Sequence, residues 1–144
     1  MTTPSITTRT LPLDLQHPGI PFPLTLIVNS LSTSSVMLFI STPPATSSSI
    51  MKDTSVAMPN RNSNLKGPCP STSISKSTTS SLSLASRLAK RYNLQIFISL
   101  DLDQLLETVG SGGGGLSKDN LILFVEKSLV KQLDTFLTKR TTTN

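Results

Sequence analysis

Aromatic residues are scarce in this 144-residue chain: five Phe, one Tyr and no Trp. That is too few rings for the stacking platforms that bind single-stranded nucleic acid. A single cysteine, Cys69, excludes an internal disulfide and any CxxC metal or redox pair. A single histidine, His17, excludes a two-histidine zinc site. Charge is thin, at 15% of residues, against about 25% in an average domain. A coiled coil, which needs long runs of Ala, Glu, Lys and Leu, is therefore excluded. Long apolar runs are missing too. The most apolar window, Phe22 to Ile40, is broken by Pro23, Asn29 and a run of Ser and Thr, and falls short of the ~20 apolar residues of a spanning helix. The opening MTTPSITTRT is hydroxyl-rich and acid-poor but carries only Arg9, and it lacks the charged-then-apolar pattern of a secretory signal. The expectation is a soluble intracellular protein.

What fills the gap is Ser and Thr, 42 residues together, with 10 Pro. The length fits one domain, residues 1–144, with a modest core and polar insertions. A net charge of +5 permits an acidic partner without naming one.

Residues 1–23 hold five Pro and read as extended chain, in which Ile6 to Leu13 can form an edge strand, since Pro12 is tolerated only at an edge or strand end. Leu24 to Asn29 (LTLIVN) and Val36 to Ser41 (VMLFIS) read as two strands of a hairpin, the second ended by Pro43 and Pro44. Residues 42–50 are a Ser/Thr loop. Met51 to Met58 reads as a third strand, 59–70 as loop and Ser71 to Ser75 as a short strand. Ser80 or Ser81 is placed to cap a helix whose apolar stripe is Leu84, Ala85, Leu88, Ala89 and Tyr92, with Asn93 as its stop. Leu94 to Leu100 (LQIFISL) follows as a strand. Residues 101–118 carry GSGGGG and read as a flexible loop. A last helix runs from about Asp119 to Thr138 on a stripe of Ile122, Val125, Leu129, Leu133 and Phe136. Its opening LILFV is ambiguous between helix and strand, and residues 139–144 are expected to fray.

Alternation makes both faces of these strands apolar. Leu24, Leu26 and Val28 oppose Ile27; Val36, Leu38 and Ile40 oppose Met37 and Phe39; Ile96 and Ile98 oppose Phe97. Two helices on one side of such a sheet leave Ile27, Met37, Phe39 and Phe97 uncovered, a patch of the kind that marks a partner surface. A second protein is expected to cover it.

Catalytic and ligand motifs are weak. Gly110 to Gly115 lies between a strand and a helix as a phosphate loop would, but Leu116, followed by Ser117, stands where the Lys is required, and Lys118 comes late. Nothing brings Cys69 to His17, and Asp101 and Asp103 fit loop solvation. Arg87, Lys90 and Arg91 form a basic stripe, either a solvated face or a contact for an acidic protein surface. Binding, without catalysis or cofactor, is the better class of function.

DTSVAM at Asp53 to Met58, STSISKSTTSS at Ser71 to Ser81, LASRLAKRYNLQIFISL at Leu84 to Leu100 and LILFVEKSLVKQL at Leu121 to Leu133 together resemble the proteasome assembly chaperone 4 family. SLSTSSVMLFISTPP at Ser30 to Pro44 fits the same pattern, and the likeness spans about residues 24–137. The glycine run and residues 42–50 depart from the compact family form. The resemblance implies an α+β fold: a single antiparallel sheet of six strands with two helices, heterodimerising through a sheet face. It implies a heterodimer with proteasome assembly chaperone 3 that holds an α-type subunit, the fifth in particular, early in building the α-ring of the 20S proteasome. Ile27, Met37, Phe39 and Phe97 are the expected heterodimer contacts, and Arg87, Lys90 and Arg91 the expected contacts to the α-type subunit. Cytoplasm and nucleus are the expected location, without membrane or nucleic-acid partner. The alternative is a small basic module for nucleic acid or an acidic surface, suggested by a pI near 9.7.

Overall fold

The computed structural model describes residues 6–15, 23–42, 53–60, 66–75, 79–102, 105 and 117–141. Six strands form one sheet: β1 (Thr7–Leu13), β2 (Leu24–Ser30), β3 (Ser35–Ser41), β4 (Asp53–Ala57), β5 (Ser71–Ser75) and β6 (Gln95–Asp101). Two helices of several turns stand among the described residues, α1 (Thr79–Tyr92) and α2 (Lys118–Thr141). The α+β architecture, six strands and two helices match the expectation.

The sheet is mixed, and this corrects the expected all-antiparallel arrangement. Its order is β1-β2-β3-β6-β4-β5, with β6 parallel to β3 and antiparallel to β4. The cause lies in the connection. A strand reached through a helix returns in the direction of the strand before that helix. β5 and β6, joined by α1, both run antiparallel to β4, and the incoming β6 slots between β4 and β3. β1, with Pro12, is an edge strand as its proline requires.

Both helices lie on one face. Leu26, Ile40 and Leu100 form a cross-strand row there, and so do Val28, Leu38 and Ile98. All six are buried, as are Leu84, Ala85, Leu88 and Ala89 of α1 and Ile122, Val125, Leu129, Leu133 and Phe136 of α2. LILFV is thus helical, its ambiguity resolved by packing. α2 opens at Ser117, whose hydroxyl accepts from the Asn120 N–H at 3.3 Å, and it continues through residues 139–141 where fraying was expected.

α1 departs from its expected cap. It begins at Thr79, so Ser80 and Ser81 lie inside it. Ser81 is fully buried and donates to Asp53 Oδ1 at 2.5 Å, with Ser55 Oγ 2.6 Å away. Its hydroxyl ties the helix to β4 in place of capping. The expected stop holds: Asn93 adopts φ 53°, the left-handed conformation that ends helices.

The residues that follow β6 join the core, since Leu102 and Leu105 are buried. The expected loop at 101–118 therefore does not begin at once; its glycine run, residues 43–50 and His17 lie outside the described residues. Cys69 is buried where its loop packs on α1, its carbonyl accepting from Ser86 Oγ at 3.1 Å. Among the described residues no helix is long and apolar enough to cross a membrane.

Candidate protein-binding face

Strand alternation sends every second side chain to the face away from the helices. There the register sets two cross-strand ladders side by side. One runs Thr10, Ile27, Phe39, Ser99, Thr54 across β1, β2, β3, β6 and β4. The other runs Thr8, Asn29, Met37, Phe97, Val56, Thr72 and reaches β5. All four residues expected from the sequence are thereby brought together. Ile27 stands directly opposite Phe39, and Met37 opposite Phe97.

Their exposure differs from that of the core face. Leu26, Val28, Leu38 and Ile98 are wholly buried. Ile27, Met37, Phe39 and Phe97 are only partly buried, although all but Ile27 lie on the two central strands. Their neighbours are polar: Thr54 and Ser99 are buried beside them, and the alternation of β6 places the Asp101 carboxylate on the same face. Ser35 Oγ donates to Gln95 Oε1 at 2.9 Å at one end of the β3–β6 pair, and Thr54 Oγ1 donates to Ser99 Oγ at 3.2 Å beside the rings. Asn29 Oδ1 is buried with no hydrogen-bond partner. An apolar centre inside a polar rim is the anatomy of a protein interface.

Val56 belongs to this patch and was missed. It faces Phe97 directly, and the alternation of DTSVA carried that signal. What the sequence lacked was the pairing of β4 with β6, which decides that Val56 and Phe97 share a row.

The basic stripe sits elsewhere, on α1, and is largely engaged within the chain. Arg87 meets the Glu126 carboxylate of α2 through Nη2 at 2.7 Å and Nε at 2.9 Å. Arg91 pairs with Asp134 at 3.4 Å. Lys90 Nζ reaches the Lys66 carbonyl at 3.4 Å. Tyr92 reinforces the same seam, donating to Asp134 Oδ1 at 2.8 Å. Burial, then the bond to Asp134, pushes its phenol up to about 12. Arg87, Arg91 and Tyr92 clamp α1 to α2. Among the described residues no group of three His, Cys, Asp or Glu is gathered as a metal site would require.

The family profile described as proteasome assembly chaperone 4 matches residues 23–102. That span runs from the start of β2 to just past β6, and so contains every strand of the apolar ladders except β1. No curated protein matches the chain.

Proposed function

The chain belongs to the proteasome assembly chaperone 4 family, and from that membership we propose that it is a non-catalytic chaperone forming a heterodimer with proteasome assembly chaperone 3. In this reading the heterodimer acts in the cytoplasm and nucleus. It binds an α-type subunit, the fifth, while the α-ring of the 20S proteasome is built. The observation that carries the reading is the sheet face turned away from α1 and α2, where Ile27, Met37, Phe39, Phe97 and Val56 stand in register. Each such side chain contributes roughly 1.5–3 kcal/mol when fully buried. A companion sheet laid on this face would dry it.

Assembly assistance of this kind needs no fuel. A chaperone that binds the correct arrangement of subunits more tightly than wrong ones shifts their populations by differential affinity. Later subunits that compete for its surface release it.

Co-expression with proteasome assembly chaperone 3, followed by size-exclusion chromatography with light scattering, tests the reading. The wild-type chain should elute as a one-to-one heterodimer. The double variant Phe39→Asp/Phe97→Asp should elute alone with native far-UV circular dichroism, because a carboxylate cannot be buried unpaired at an interface. A heterodimer that forms equally well with the double variant defeats the proposed face.

A further inference from the structure

The helix layer has a concavity of its own, on the opposite side of the molecule from the apolar ladders. It lies where α2 packs on the chain leaving β1, has a volume of about 290 Å³, and is lined by Asp14, Leu15, Phe124, Lys127, Lys131 and Gln132 together with Ser128. Its walls are braced. Ser128 Oγ donates to the Asp14 carbonyl at 2.6 Å, and Gln132 Nε2 reaches the Pro12 carbonyl at 3.5 Å. Leu15 is buried, Phe124 is partly exposed, and Leu123 next to it is 52% exposed.

Positive charge outweighs negative in this cleft, where Lys127 and Lys131 share the lining with one carboxylate, Asp14. The α2 acids that could have neutralised it, Glu126 and Asp134, are turned to Arg87, Arg91 and Tyr92 of α1. Lys127 and Lys131 stand four residues apart on one helix face, where like charges repel. Neither has an ion-pair partner among the described residues. Lys127 Nζ lies 6.0 Å from the centre of the Phe124 ring. Two ammoniums against one carboxylate leave the cleft net positive, a charge that further carboxylates would neutralise.

We infer that this cleft docks an acidic segment with one bulky apolar anchor: the anchor enters between Leu15 and Phe124, and flanking carboxylates meet Lys127 and Lys131. That the segment belongs to a proteasome α-type subunit rests on the function proposed above. The placement suits that role, because a chaperone that holds two proteins needs two surfaces that do not overlap. It also moves the acidic contact from the α1 stripe, whose arginines are paired, to α2.

The test uses the full chain and two probes. The peptide acetyl-DEFED-amide is titrated into labelled protein and followed by amide chemical shifts, with the uncharged acetyl-NQFQN-amide as control. Shifts should gather at residues 14–15 and 124–132. Affinity should fall roughly tenfold, about 1.4 kcal/mol, both for the control peptide and for the Lys127→Glu/Lys131→Glu variant. Absence of shifts, or shifts scattered over Lys66 and Lys90 as well, overturns the inference. The second probe is the purified fifth α-type subunit. Its binding should weaken by a similar factor in the same variant while the heterodimer persists; unchanged binding overturns the assignment of the segment to that subunit. A chain that takes the peptide in the cleft yet binds no α-type subunit supports the cleft and counts against the assembly role.

Discussion

Tyr92 and Asn93 end α1 by two different means, and each can be tested alone. The phenol of Tyr92 bonds both to Asp134 and to the Val130 carbonyl, and burial holds its pKa near 12 against an ordinary value of 10. The fold therefore favours the neutral phenol. Its contribution is complete below the unfolded pKa of 10 and is lost as pH rises from there through about 12. Urea unfolding should find Tyr92→Phe less stable than wild type by about 1 kcal/mol at pH 8. That gap should close between pH 10 and 12, and a gap independent of pH would contradict the assignment. Asn93 sits at φ 53°, where a residue with an ordinary side chain is strained. Asn93→Ala should cost about 1 kcal/mol and Asn93→Gly no more than a few tenths. Equal melting temperatures for the two variants would remove the argument for a left-handed cap.

The two faces of the sheet make opposite predictions for similar truncations. Ile98 is wholly buried under the helices, so Ile98→Ala should cost about 2–5 kcal/mol. Phe39, on the neighbouring strand but on the open face, should cost the isolated chain less than half as much when cut to Ala, despite its larger side chain. Equal costs in urea titrations would mean that the ring is already dry in the monomer. This contrast was half legible in the sequence. Alternation in VMLFIS and QIFISL sorted Val36, Leu38, Ile40, Ile96 and Ile98 from Met37, Phe39 and Phe97, because a period of two needs only neighbouring residues. The stripes of α1 and α2 were legible for the same local reason. The pairing of β6 with β3 and β4 was not, since it joins residues far apart in the chain, as Met37 and Val56 are from Phe97, and no local pattern encodes it. Ser81 was misread because a serine before an apolar stripe has the form of a cap; only the approach of Asp53 gave its hydroxyl a different partner. The stripe of Arg87 and Arg91 read as a solvated face or an acidic-surface contact; their pairing with Glu126 and Asp134 was not legible because those acids lie on a helix across the seam.

The whole molecule presents two surfaces with different physics, and salt separates them. The sheet face is apolar at its centre with Asp101 as its one charged strand residue among those described, so the association proposed for it would come mainly from area removed from water, which moderate salt does not screen. The α2 cleft relies on Lys127 and Lys131 at the surface. Their attraction to carboxylates is screened over about 10 Å at 0.1 M salt and about 3 Å at 1 M. A ternary complex of this chain, proteasome assembly chaperone 3 and the fifth α-type subunit, immobilised through the subunit, should therefore come apart in one order. Raising sodium chloride from about 0.05 M to about 1 M should release the two chaperones together, still paired. Under the same wash the Phe39→Asp/Phe97→Asp variant should not be retained as a pair at any salt. Release of chaperone 3 alone, with this chain still on the subunit, would reverse the roles of the two faces. The apolar ladder would then be the subunit's seat and the basic cleft the chaperone's. The salt step therefore decides between two arrangements that buried area alone would not distinguish, since area does not set affinity.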